Sequence, residues 1–368
     1  MPKRKRYSSD RLTENPYSEK EIFMRKNTLA IILCLVLTFA LLAGCGKKNP
    51  STSTDVPKET ASAAPLEQVN VTVAGLAGPT SMGMIKMISE KALNSDAYAV
   101  NYEIASAPDT LTAKLITGEV QIAALPTNSA AVLYNKTEGQ VQFLALNTLG
   151  VLYVVGKEAS NVTSLKGLEG KTIALSGSGG VPQYATEYIL DKARIKDSVT
   201  LNYLPDHASV AQALLAGDAE LAILPQPFVT QVLAKDPSMK ILLDFNKEWD
   251  VASGGSSVLS MGCLAIRKDF ADANPEFVAE FLKQYEASVK YVNENPADAA
   301  KLIADSGIVA SEEIAEKAIP FCNIVFKTAL GAKPGINGFL QVLFDFDPAS
   351  VGGAMPDDGF YYASPITR

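Results

Sequence analysis

The 368-residue chain has one histidine, one tryptophan and four cysteines. A single histidine, His207, rules out a metal cluster built on several imidazoles, and no Ser-His-Asp grouping stands out around it. In Leu204-Pro205-Asp206-His207 it sits at a strand-to-helix junction, where it reads as a polar loop residue or a helix cap. Cys34 and Cys45 fall near the front of the chain, so the body keeps only Cys263 and Cys322. Their spacing neither requires nor forbids a disulfide, and their apolar settings read as two buried free thiols. Positive charge is also scarce. From Cys45 onward there are 25 Lys and Arg against 36 Asp and Glu, a net charge of −11. Such an acidic body does not suit nucleic acid, whose phosphates need basic neutralisation. Long apolar runs are limited to one, Leu29 to Leu42. Its 14 residues are fewer than the roughly 20 that a membrane-spanning helix needs.

That apolar run follows Met24-Arg25-Lys26 and ends in Leu42-Ala43-Gly44-Cys45. A basic segment, an apolar segment, small residues and then Cys is the layout of a bacterial lipoprotein signal peptide. Small side chains suit the peptidase cut, and the Cys45 thiol takes the lipid. The expected layout is an extension at 1–23 ahead of the start at Met24, a signal peptide at 24–44 and a lipid-anchored tether at 45–67. The tether is Ser, Thr, Ala, Pro and Lys with almost no large apolar residue. The folded body is then expected on the extracytoplasmic face of a cell membrane.

Beyond the tether the chain repeats. Leu115-Ile116-Thr117-Gly118-Glu119-Val120-Gln121-Ile122-Ala123-Ala124-Leu125-Pro126 returns 99 residues later as Leu214-Leu215-Ala216-Gly217-Asp218-Ala219-Glu220-Leu221-Ala222-Ile223-Leu224-Pro225. Each copy reads as a helix end, a Gly suited to the left-handed cap, an acid, a buried strand and a Pro. Upstream, the strand Val69–Ala74 and its Gly-rich loop echo the strand Lys171–Leu175 and the Gly/Ser loop Ser176–Gln183. Two α/β lobes of one plan follow: lobe 1 from 68–152 plus 262–368, lobe 2 from 153–261. The apolar segments Gly150–Lys157 and Val258–Lys268 are expected to cross between them as a two-segment hinge. Residues 269–346 read as helical, with Asn274-Pro275 and Asn295-Pro296 opening successive helices.

Ligands of open α/β sheets bind beyond the carboxyl ends of the strands. Lobes placed face to face would bring four loops around one cleft. The candidate ligand-binding residues on them are Gly78, Thr80, Ser81, Met82, Thr127, Asn128, Ser176, Ser178, Gly179, Gln183 and Gln226. None of these loops carries Arg, Lys, Asp or Glu, so recognition would run through hydroxyls, amides and backbone N–H groups. Helices starting near Ser81 and Pro182 would turn their positive ends to the cleft, favouring an anion, while the amides of Asn128 and Gln226 suit a neutral heterocycle equally well. Tyr153, Tyr184 or Trp249 could supply an aromatic wall, although a lone tryptophan is by default packed in a core. The Gly/Ser loop lacks the Gly-Lys-Ser/Thr ending of a nucleotide loop.

Four segments carry a resemblance: Gly78-Pro79-Thr80-Ser81-Met82-Gly83-Met84, Ser164-Leu165-Lys166-Gly167-Leu168-Glu169-Gly170-Lys171-Thr172-Ile173-Ala174, Gly217-Asp218-Ala219-Glu220-Leu221-Ala222, and Asn274-Pro275-Glu276-Phe277. In this order they resemble ABC-transporter substrate-binding lipoproteins, nearest to the nitrate, sulfonate and pyrimidine-precursor solute-binding group. The resemblance implies a type II periplasmic-binding-protein fold and a monomer that captures a small organic or anionic solute. It also implies a permease and an ATPase as partners, and neither a cofactor, a metal nor a catalytic residue. Relatives often carry an acid where this chain has Gln226, which removes a partner for a ligand ammonium at that point. The alternatives are a surface solute receptor without transport and an enzyme on the same fold.

Overall fold

The computed structural model describes residues 68–105 and 108–365. The signal segment, Cys45 and the tether lie outside the described residues. Lobe 1 begins with β1 (Val69–Leu76), the short helices α1 (Pro79–Met82) and α2 (Ile85–Ser89), β2 (Tyr98–Ala105), α3 (Pro108–Thr117), β3 (Ile122–Leu125), α4 (Thr127–Lys136) and β4 (Val141–Leu149). Then follow β5 (Leu152–Lys157), β6 (Thr172–Leu175), α5 (Val181–Lys192), β7 (Thr200–Tyr203), α6 (His207–Ala216), β8 (Leu221–Pro225), α7 (Phe228–Lys235), β9 (Met239–Asp244) and α8 (Phe245–Ser253). The chain returns through β10 (Ser260–Arg267), α9 (Lys268–Ala273), α10 (Pro275–Glu294), α11 (Pro296–Asp305), α12 (Glu312–Ala318), β11 (Ile324–Thr328) and α13 (Ala329–Phe346).

The two sheets repeat one another. The first runs β11-β4-β10-β3-β1-β2 and the second β7-β6-β8-β5-β9. In each, a parallel trio (β2-β1-β3, β7-β6-β8) is followed by one antiparallel strand supplied just after the chain changes sheet: β10 in the first, β5 in the second. β3 and β8 are buried at every position, as strands covered on both faces must be. Gly118 and Gly217, the glycines of the repeat, adopt φ of +84° and +83°, and Gly217 closes α6 in the left-handed conformation.

The crossings are shorter than the sequence suggests. Only Gly150 and Val151 separate β4 from β5, and most of each apolar segment is a strand inside one sheet. The Gly150 peptide is held from both sides: its N–H donates to Asn246 Oδ1 at 3.1 Å, and its carbonyl accepts from Asn323 Nδ2. Asn246 lies in the first turn of α8 and Asn323 precedes β11, so each side of the hinge contributes one amide. The stretch 269–346 is not wholly helical, because Ile324–Thr328 forms β11 against β4. Asn274-Pro275 and Asn295-Pro296 do open α10 and α11. In α10, Phe277, Phe281, Tyr285, Val289 and Val292 recur at helical spacing and are buried.

Candidate functional site: the cleft edge of the two sheets

The carboxyl ends of β1, β3 and β4 define one edge of the first sheet, and those of β6, β7 and β8 the matching edge of the second. Gly78, after β1, has φ +113° and no atom within 4 Å of where a Cβ would stand, so backbone there is open to close approach. Thr80 follows on α1, and its carbonyl accepts a 3.0 Å hydrogen bond from Asn147 Nδ2. Ser81 and Met82 face inward: the Ser81 hydroxyl donates to the Leu76 carbonyl, and Met82 belongs to the core. Thr127 is also fully buried, its hydroxyl 2.6 Å from that of Ser260. Asn128 donates to the Ser350 carbonyl at 3.3 Å.

The helix expected to start near Ser81 is a single short turn beginning at Pro79. α1 has four residues and ends at Gly83, after which α2 begins separately. A side chain at Gly83 would meet the Tyr285 hydroxyl at 2.6 Å, so only glycine fits where the two short helices pass this buried phenol. So short a turn carries little macrodipole.

On the second lobe, Ser176 is buried and its hydroxyl lies 2.5 Å from His207 Nδ1. The imidazole stands 5.6 Å, centroid to centroid, from the Phe228 ring. Residues following β6, β7 and β8 therefore meet over the strand ends. Burial holds His207 below the ordinary imidazole range, against the opposing charge of Asp206. The helix cap is Asp206, not His207: its carboxylate accepts from Ser209 N at 2.7 Å. That carboxylate does not orient the imidazole, and Ser176 meets Nδ1, so the three do not form a nucleophilic triad. Among the described residues His207 Nε2 has no hydrogen-bond partner.

Gln183 reaches back into the Gly/Ser loop, accepting from Gly179 N at 2.7 Å and from the Ser178 hydroxyl at 3.3 Å. Gln226 is almost fully buried, and its Oε1 accepts from the backbone and hydroxyl of Thr230. The peptide bond from Gln226 to Pro227 is cis.

None of the three aromatics is a free wall. Trp249 is fully buried, 4.7 Å from the Tyr188 ring of lobe 2 and 5.7 Å from the Phe339 ring of lobe 1. The hydroxyls of Tyr153 and Tyr184 cross between lobes, donating to the Phe321 carbonyl at 2.8 Å and to Asp347 Oδ2 at 3.1 Å. Cys263 and Cys322 are free and buried, and burial pushes both thiols up.

Two further polar residues emerge at the cleft end of β4. Asn147 Oδ1 and Thr148 Oγ1 are buried without a partner. An Asn-Thr pair ending an apolar strand just before Gly150 was the available sequence signal. Among the described residues no group of three or more His, Cys, Asp or Glu is placed to hold a metal ion, and no helix is long and apolar enough to cross a membrane.

A search of curated proteins finds no match to this chain. Solved structures do match. An ABC transporter protein from Parabacteroides distasonis is 26% identical, with 80% of this chain and 98% of that one covered at a TM-score of 0.69. The periplasmic aliphatic sulphonate binding protein SsuA from Escherichia coli is 12% identical, covering 81% and 94% at 0.66. The alkanesulfonate-binding protein SsuA from Xanthomonas axonopodis pv. citri, bound to MOPS, is 14% identical, covering 78% and 94% at 0.56. The latter two share the fold, as expected from the paired sheets. A family model, that of the phosphonate periplasmic substrate-binding proteins of ABC transporters, matches residues 84–315, a span holding His207 and the loops after β3, β6 and β8. This chain belongs to that family of ABC-transporter substrate-binding proteins.

Proposed function

We propose that the protein captures a small organic oxyanion, a phosphonate or sulfonate, between its two lobes and delivers it to a membrane permease. The observation that carries the ligand class is the Ser176–His207 pair at the strand ends of lobe 2. If the hydroxyl donates to Nδ1, the proton sits on Nε2, which then offers a donor to an anionic oxygen. Gly78, Thr80 and Asn128 from lobe 1 and Ser176, Ser178, Gly179 and Gln226 from lobe 2 supply the surrounding contacts. The loops after β1, β3, β6 and β8 hold no acid, and the Asp206 carboxylate beside His207 is engaged by the Ser209 N–H of its own helix. Closure of the lobes on the ligand would be the signal read by the permease, since a ligand favours whichever state it binds more tightly. Lipid attachment at Cys45 would keep the protein near that partner, as a monomer on the extracytoplasmic face.

Calorimetric titration of residues 46–368 with methylphosphonate, methanesulfonate, nitrate and an aminopyrimidine tests this reading. Binding of the two tetrahedral oxyanions is expected. A response to the pyrimidine alone would refute it. His207→Ala is expected to weaken methanesulfonate binding about tenfold, the equivalent of one lost hydrogen bond to a charged group. Wild-type affinity is expected to rise as pH falls from 8 to 5. Burial lowers the imidazole pKa in the free protein and a bound anion raises it, so binding is coupled to proton uptake as the pH falls. Methanesulfonate keeps one charge throughout, which isolates the histidine. The slope should vanish in His207→Ala.

A further inference from the structure

Gln183 was expected as a ligand contact, yet in the structure its carboxamide serves the protein itself. Oε1 accepts from the Gly179 N–H at 2.7 Å and the Ser178 hydroxyl at 3.3 Å. Nε2 donates to Glu187 Oε1 at 2.7 Å. The other oxygen of Glu187 takes Lys196 Nζ at 2.8 Å. The amide is thus held at both ends, by the Gly/Ser loop on one side and by a charge-paired carboxylate on the other.

The Gly179 N–H and Ser178 O–H are donors in the loop following β6, where an oxyanion is proposed to bind. An oxygen accepting from both is what an anionic ligand would present. We infer that Gln183 is a built-in occupant of the oxyanion position and a specificity-determining residue: its amide oxygen fills the two donors in the unliganded protein and must yield to a ligand. This rests on the proposed oxyanion site. A neutral acceptor is displaced by a charged one, because hydrogen bonds to ionised oxygens are about twice as strong as neutral pairs. A neutral ligand oxygen gains little by the same exchange. The occupant therefore raises the threshold for uncharged solutes more than for anions. Glu187 sharpens this, because it fixes the rotamer of Gln183 through Nε2 and leaves Oε1 pointing back into the loop.

The competing role is that of a helix cap only. Gln183 is the third residue of α5, and a Gln there commonly reaches back to the N-terminal N–H groups of its own helix. The two roles predict different outcomes. Gln183→Met keeps chain length and helix propensity but replaces the amide with a poor acceptor. As an occupant, its removal frees both donors, so methanesulfonate and methylphosphonate should bind roughly three- to tenfold more tightly, the worth of one neutral hydrogen bond. Methyl sulfone, an uncharged analogue, should gain as much or more, narrowing the anion preference. As a cap only, the melting temperature falls and affinity does not change. As a direct contact, affinity falls.

Glu187→Gln is the second variant. It leaves the loop sequence intact and loosens Gln183 from its carboxylate, so a smaller gain in the same direction is expected. Tighter anion binding in both variants supports the inference. Unchanged or weaker binding in Gln183→Met, with the wild type still binding oxyanions, overturns it and leaves the proposed function standing. Failure of wild type and both variants to bind any oxyanion overturns both readings.

Discussion

Trp249→Ala is expected to cost about 3–5 kcal/mol, the range for emptying a fully buried aromatic site. The ring packs on Tyr188 and Phe339, and its Nε1 donates to Ser257 Oγ at 3.1 Å, so the variant also leaves a buried hydroxyl without its donor. The surroundings cannot collapse easily, because α8 is anchored through Asn246 to the crossing peptide at Gly150. Urea denaturation followed by far-ultraviolet circular dichroism measures the loss. Phe339 belongs to lobe 1 and Trp249 to lobe 2, so the cavity also loosens the seam between them. An unchanged denaturation midpoint would mean that the aromatic seam carries no stability.

Gly262→Ala is expected to damage stability and binding together. A methyl there would stand 2.5 Å from Thr80 Cγ2 and 2.6 Å from Asn147 Oδ1. β10 is flanked by β3 and β4, so its backbone has no room to withdraw. The Thr80 turn must move instead, and Asn147 is itself tied to the Thr80 carbonyl. Overpacking of this kind costs about 1–3 kcal/mol. A displaced Thr80 turn should also reduce oxyanion affinity by roughly tenfold or more, since small misplacements of a positioning element carry large penalties. Thermal unfolding and calorimetric titration of one preparation separate the two effects. Lower stability with unchanged affinity would show that the Thr80 turn does not face the ligand.

The strands that anchor the cleft were legible because they combine two local signals. β3 and β8 are short apolar runs, each preceded by a glycine whose positive φ stops the helix before it. Their likeness at a 99-residue offset turns two weak signals into a shared plan. β11 was not legible. It has five residues, and among the described residues its only partner is β4, nearly 180 positions earlier and in a broken register. The need for glycine between α1 and α2 comes from a phenol delivered by α10, about 200 residues away. The candidate loops follow the carboxyl ends of the strands, but side-chain direction was out of reach. Gln183 and Gln226 look alike in sequence, yet one turns back to its own loop and the other to Thr230. His207 read as a polar loop residue or a helix cap; the cap is Asp206 beside it, and the tie of His207 to Ser176 spans 31 residues.

The exchange of strands between the sheets sets an order of assembly. Every strand of the second sheet lies within one stretch, β5 through β9, so that lobe can close as soon as Asp244 is available. The first sheet cannot. β3 and β4 are held apart until β10 inserts between them, and β10 starts at Ser260, more than a hundred residues after β4 begins. Until the chain returns, β3 lacks its partner on one edge and β4 on both, because β10 and β11 come later in the sequence. Lobe 1 is therefore expected to be the slower-folding and more aggregation-exposed half of the molecule. A chaperone acting on this protein would find its target on β3 and β4, before the wedge strand arrives.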